Sequence, residues 1–305
     1  MTTTRIDAAS SRNRFKWSDI RTGLLAFLAV ATTLFPFLWM ALTSFKPNNE
    51  LYSTKANPLS IRSPTVEHYI DLFSNTDFAS WMTNSLIVAL CATLISIFAA
   101  TLAGYALARL KFPGANILGW GIFVTYLIPQ TLLFLPLVST ASSINRGFLR
   151  GFNELFGTNI KLLNSLFGLI VIYPTFLIPF STWLLIGFFR SIPFDLEECA
   201  MIDGARRITS FWRITLPLAL PGVLSVAIFS FTLSWNEYLY ALVFISSPET
   251  KTIPIGITSE LIRGDDFFWG QLMAGALLGS VPVALVYSFF VDQFVSGMTA
   301  GAVKG

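Results

Sequence analysis

MTNSLIVALCATLISIFAATLAGYALA, from Met82 to Ala108, contains no Asp, Glu, Lys or Arg. In hydrocarbon every backbone N–H and C=O must find an internal partner, which an α-helix supplies. About 20 apolar residues at 1.5 Å each cross the ~30 Å core of a bilayer. This stretch is long enough to do so. A soluble chain of 305 residues can bury a sizeable core, but it needs no uninterrupted run of this kind.

Five more stretches read the same way: Gly23–Phe45, Pro113–Val138, Leu162–Phe189, Leu216–Ile245 and Gln271–Val291. The third carries Pro129 and Pro136, the fourth Pro174 and Pro179, and the sixth Pro282; inside spans such prolines mark bends. Hydrophobic residues make up 54% of the chain and charged ones 12%, with a mean hydropathy of +0.65. The fold class is therefore an all-α polytopic membrane protein with six transmembrane helices. With the N-terminus inside, twelve Lys and Arg fall in inner segments and eight in outer loops, which also hold nine acids. That bias favours both termini cytoplasmic. The division that follows is a cytoplasmic tail 1–22, a first helix 23–45, a periplasmic loop 46–81, a five-helix unit 82–292 with a cytoplasmic loop 190–216, and a cytoplasmic tail 293–305. The loop 46–81 is expected to be ordered but irregular. The first apolar run is too long for a cleaved signal sequence.

Other classes are disfavoured. A net charge of +3 without a basic cluster gives no nucleic-acid footprint. Cys91 and Cys199 read as two unpaired thiols, and with His68 as the single histidine no zinc site is expected. No G-x-x-x-x-G-K-[ST] occurs, and no catalytic constellation is visible, so the chain is not read as an enzyme. In the outer segment 140–161, Ile144, Phe148, Leu149, Phe152, Leu155 and Phe156 are spaced for a short amphipathic helix on the membrane face or on a partner.

The loop between the fourth and fifth stretches contains SIPFDLEECAMIDGA, Ser191 to Ala205. Pro193 ends the preceding helix. Asp195 is placed to cap a new one, with Glu198 completing a capping box, and Gly204 supplies a left-handed stop. A helix of about two turns results, with Cys199, Ala200 and Ala205 keeping part of its surface small enough for another protein's groove. A second helix is expected to start near Thr209 or Ser210 and enter the membrane at Leu216-Pro217. Deep in the fifth stretch, Glu237 is an expensive residue. It either has a structural role, by snorkelling or pairing with a companion subunit, or with Asn236 offers hydrogen bonds to a solute in transit, Trp235, Tyr238 and Tyr240 giving stacking faces. Gln130, Tyr126, Asn84 and Ser85 are secondary candidates.

Glu198-Cys-Ala-Met-Ile-Asp-Gly-Ala205, followed by Phe211, Ile214 and Leu216-Pro217, resembles the EAA signature of ABC importer permeases. Ser234-Trp-Asn-Glu-Tyr238 and the ending Gly297–Gly305 are similar to the carbohydrate-importing, MalG-like branch. Cys199 departs from the usual Ala. The resemblance implies a type I ABC importer transmembrane domain in the bacterial inner membrane, a permease subunit carrying sugar. Asp195, Glu197, Glu198, Cys199, Ala200, Asp203, Gly204 and Ala205 would couple it to an ATPase. The implied partners are a second permease subunit in a heterodimer, a dimer of ABC ATPase subunits that bind ATP and Mg, a periplasmic sugar-binding protein, and membrane lipid. No cofactor is expected in this chain. Two alternatives stand beside this reading. One is an ABC permease for an amino acid or peptide, since the loop signature is shared. The other is a gradient-driven secondary transporter, which would call for several intramembrane charges or repeated broken helices.

Overall fold

A computed structural model describes residues 17–55 and 57–302, and the side chains of 21–55 and 57–290. The tail 1–16, with Arg5, Arg12, Arg14 and Lys16, and residues 303–305, with Lys304, lie outside the described residues. Among those described, six helices are long and apolar enough to cross a membrane: Arg21–Ser44, Phe78–Arg109, Gln130–Phe156, Leu166–Ser191, Arg207–Trp235 and Trp269–Phe290. The first begins at Trp17 and the last continues to Ala302, so most of the expected tail 293–305 is helical.

The second span is the centre of the bundle, packed on the fourth and fifth. Without a hydrophobic drive between helices in lipid, close approach of backbones and interhelical hydrogen bonds hold such a bundle together. Both occur here. A Cβ on Gly104 would sit 3.0 Å from Leu185 Cβ, so glycine lets the second and fourth spans cross closely here. The buried hydroxyls of Ser181 and Ser230 meet at 2.9 Å between the fourth and fifth. The core forms three successive clusters. One, near the 190–216 loop, contains Tyr105, Leu185, Phe189 and Phe211. A middle cluster contains Val88, Leu169, Tyr173, Phe176 and Tyr240, and the third, at the far end, contains Leu72, Trp81, Trp235 and Ile253. The first span lies outside this core and packs on the sixth.

Four expectations are corrected. Pro113–Val138 is two helices, Ala115–Leu127 and one starting at Gln130, separated by extended backbone at Ile128 and Pro129. Proline disfavours the helical region for the residue before it, and Ile128 takes the extended alternative. Pro136, by contrast, stays within its helix. The segment after Val138 is not a separate surface helix: the third span continues through a π turn, Asn145–Leu149, to Phe156. The loop 46–81 includes helices Asn48–Leu51 and Glu67–Ser74, and the second span already starts at Phe78. The fifth span stops at Trp235, and Leu239–Phe244 forms its own short helix.

The connection between the fifth and sixth spans is a compact unit with helix Ile253–Glu260 and a small hairpin pairing Ile262 with Phe267. Lys251 Nζ lies 2.7 Å from Glu260 Oε1, and that hydrogen bond holds the Glu260 carboxyl below its ordinary range. A lowered folded-state value stabilises this clamp above the unfolded carboxyl's range, and the contribution fades as pH falls through the folded value.

Replacing Gly104 by Val should force the second and fourth spans apart and cost about 1–3 kcal/mol by overpacking. Thermal unfolding in detergent is expected to show a lower midpoint for Gly104→Val. Gly119→Val, where nothing lies within 4 Å of an added Cβ, should leave the midpoint almost unchanged.

Candidate functional site

The fourth span ends at Ser191, Ile192 is extended, and a helix runs from Asp195 to Ile202. Its N-cap is Phe194, already in helical conformation, whose carbonyl accepts from Glu197 N at 2.9 Å and Glu198 N at 3.2 Å. The expected capping box is therefore not formed. The helix starts one residue early because Phe194 is held beneath the Arg109 guanidinium, 5.6 Å above its ring. Asp195, Glu197 and Glu198 remain in the first turn, where the helix dipole favours acids. The stop behaves as the sequence indicates. Gly204 has φ +89°, Ala205 N donates to Ala200 O at 2.9 Å, and Gly204 N donates to Met201 O at 3.1 Å. This pair of bonds satisfies the last carbonyls and fixes where the chain turns away.

The helix has two unlike faces. Glu197 is 2% exposed and points into the bundle. Its Oε1 lies 3.2 Å from Arg109 Nε, and its Oε2 accepts from the Tyr105 hydroxyl at 2.9 Å. Arg109 Nη2 also donates to Ile192 O at 2.6 Å. Tyr105 is packed between Phe211, at 4.5 Å, and Phe189, at 5.8 Å. Three spans and the loop helix thus meet at one buried carboxylate. Ala200, three residues on, is also buried, which corrects its assignment to the small outward surface; Ala205 is half-buried. Asp195, Glu198, Cys199, Asp203 and Gly204 are exposed. Beyond the stop, the next helix begins at Arg207, two residues before Thr209, and passes through a π turn at Phe211–Thr215 before Leu216.

The residues read as a substrate pathway divide likewise. Trp235 is buried, stacked on Phe231 at 5.6 Å, and its indole N–H donates to Gly279 O at 3.0 Å. Tyr240 is buried against Phe176, the rings 5.6 Å apart and nearly parallel. Neither offers an open stacking face. Asn84 Nδ2 donates to Glu249 O and Lys251 O at 2.8 and 2.9 Å, and Ser85 Oγ accepts from Ile253 N. Glu237, outside the helices, accepts from Tyr240 N at 2.8 Å and Ala241 N at 3.0 Å, so its carboxylate caps Leu239–Phe244. Asn236 and Tyr238 are exposed at this break of the fifth span. Tyr126 and Gln130 flank the Pro129 break of the third, Tyr126 exposed and Gln130 half-buried.

Residues 93–300 match the family described as binding-protein-dependent transport system inner membrane component. The chain belongs to this family. The permease is 34% identical over 285 residues to the inner membrane ABC transporter permease protein YcjP of Escherichia coli K12, covering 93% of this chain and 95% of that one. It is also 34% identical over 284 residues to the trehalose/maltose transport system permease protein MalG of Thermococcus litoralis, covering 92% and 95%. Its fold is that of a chain in the crystal structure of a bacterial ABC transporter involved in alginate import, with a TM-score of 0.75 at 18% identity over 92% of this chain and 99% of that one.

Arg109 and Tyr105 are the permease's site residues that sequence reasoning passed over. A signal existed: they lie four apart at the end of the second span, hence on one face, facing the acid-rich loop. In the loop Leu196, Ile202 and Ile208 are exposed, while Trp212 lines a groove with Phe98, Leu102 and Leu220 of the second and fifth spans. An exposed apolar patch rimmed by Glu198, Asp203, Arg206 and Arg207 is the form that a protein-binding surface takes.

Arg109→Met leaves a buried carboxylate without its cation and should cost about 3–5 kcal/mol, whereas Arg109→Met combined with Glu197→Met should recover much of that loss. Thermal unfolding of the two singles and the double measures this. A double variant as damaged as the sum of the singles would show that the two side chains act independently.

Proposed function

We propose that this chain is the sugar-translocating permease of a binding-protein-dependent ABC importer in the bacterial inner membrane, driven by ATP hydrolysis on a separate subunit. The observation that carries the reading is the loop helix Asp195–Ile202, braced inside by Glu197 and free outside. A helix of eight residues is too short to hold its shape alone in water. Here the Arg109 and Tyr105 bonds and the Gly204 stop make it rigid, so a push on its outer face is delivered to the second, fourth and fifth spans together.

The sequence has no Walker-type loop, so energy enters from a partner. That partner is a dimer of ABC ATPases, seating the apolar patch and the exposed acids of the loop in its groove. Both chain ends are on the cytoplasmic side with this loop. A second permease subunit completes the pathway, and a periplasmic sugar-binding protein delivers substrate to the opposite end. The substrate class follows from the Trp-Asn-Glu segment and from relatives such as the trehalose/maltose permease. Asn236 and Tyr238, exposed at the break of the fifth span, are the residues for contact with sugar hydroxyls and rings; Glu237 caps the helix beside them. Closure of the ATPases rotates the braced spans as one body and opens the pathway to the other side.

Gly204→Val places a β-branched residue in the left-handed region, which strongly favours glycine. It should abolish sugar uptake in proteoliposomes of the whole importer while leaving membrane insertion intact; full uptake would overturn the coupling role. Across a panel of trehalose, maltose and diacetylchitobiose, Asn236→Ala and Tyr238→Ala should raise the half-saturating concentration for whichever sugar stimulates ATP hydrolysis. An unchanged value in both would remove these two residues from the pathway.

A further inference from the structure

Lys46 is the second residue beyond the end of the first span and is only 4% exposed. Its ammonium donates to Asn57 O at 3.1 Å and Pro58 O at 2.5 Å. Among the described residues no carboxylate lies within 4.0 Å of it. A buried charge without a counter-ion is expensive, and two carbonyl dipoles leave one of the three ammonium donors unassigned. The position is also firmly built. The imidazole of His68 bonds to the Lys46 carbonyl at 2.7 Å and packs on Gly270, where a Cβ would come within 2.2 Å of the ring.

Lys46 lines a cavity of about 360 Å³ at the far end of the bundle from the loop helix. Trp39, Thr43, Glu50, Trp269 and Met273 share its walls. Three features fix the chemistry of its occupant. The cavity lies where the first span meets the start of the sixth, outside the second, fourth and fifth spans that form the bundle core. The first span is exposed along its apolar length, so lipid reaches the cavity's rim. Trp39 and Trp269 are both partly exposed, in the position that tryptophans take at the boundary between hydrocarbon and water. Glu50 adds the opposite charge to Lys46 on the same wall; its carboxylate accepts from Arg62 N at 3.0 Å and Ser63 N at 3.2 Å and keeps lone pairs free.

We propose that this cavity holds the head group of an aminophospholipid, its phosphate on the Lys46 ammonium and its own ammonium toward Glu50, with the acyl chains running down the groove between the first and sixth spans. The site is separate from the sugar pathway. It ties the peripheral first span to the core through a lipid.

The intact importer, purified with its partner subunits and stripped of lipid in detergent, is equilibrated with micelles containing phosphatidylethanolamine, phosphatidylglycerol or phosphatidylcholine, and retained lipid is counted by native mass spectrometry. Phosphatidylethanolamine should be retained over the other two, since it alone has both a phosphate and an N–H ammonium. Lys46→Met should lower its retention about tenfold, the scale of one charge-assisted hydrogen bond. Glu50→Gln should keep lipid bound but erase the preference for phosphatidylethanolamine over phosphatidylglycerol. If Lys46→Met does not assemble, Trp39→Leu, on the exposed first span, should lower retention by itself. Wild-type retention in Lys46→Met or in Trp39→Leu, or an unaltered preference for phosphatidylethanolamine in Glu50→Gln, overturns the site. Displacement of the lipid by millimolar inorganic phosphate would show a free-anion site instead and overturns the lipid assignment.

Discussion

A carboxylate removed from water between a guanidinium and a phenol fixes how the 190–216 loop sits on the bundle. Glu197 contributes little net stability compared with an apolar residue of its size, because desolvation offsets much of the attraction. What it supplies is direction. Arg109 can satisfy Glu197 and the Ile192 carbonyl together only when the loop helix lies across the end of the second span. Tyr105 extends that constraint to the aromatic cluster with Phe189 and Phe211, so the fourth and fifth spans share it. The outward residues are thereby free to serve a partner without having to hold the helix in place.

The same bundle is interrupted where rigidity would be a hindrance. Helix is interrupted at Ile128–Pro129, just before the third span, and at Asn236–Tyr238, just after the fifth, and polar side chains stand beside each break. Backbone freed from helical bonding is tolerated there only where protein groups re-satisfy it. The Glu237 carboxylate does this for Tyr240 and Ala241. A charged residue that looked costly inside a long helix is, in the folded chain, the acceptor that allows the helix to stop and restart.

Much of this was legible from residue order. Uncharged runs located five of the six spans, since hydrocarbon admits little else, but placed the third too early, and the Gly204 stop could be read because only glycine takes that conformation cheaply. The loop residues also announced a short helix between the fourth and fifth spans. The breaks were harder. Pro129 and Pro136 look equivalent in sequence, yet one separates two helices and the other stays inside one. Similarly, whether Asp195 or Phe194 begins the loop helix was decided by Arg109, a residue 86 positions earlier than Asp195 in the chain. Trp235 and Asn84 have side chains suited to sugar recognition, but both are occupied by backbone carbonyls from segments distant in sequence. Periodicity carries no information about such long-range partners.

The π turn at Phe211–Thr215 has a consequence for how such chains tolerate changes in length. It accommodates one residue more than an α turn, directly between the loop and the membrane. Loss of a single residue there can be absorbed by tightening to α geometry, leaving Ser230, Phe231 and Trp235 aimed as before. The same loss one turn later would swing every downstream side chain by about 100° around the helix axis. The wide turn is thus a slack joint, insulating the interior of the fifth span from loss of a residue on the loop side.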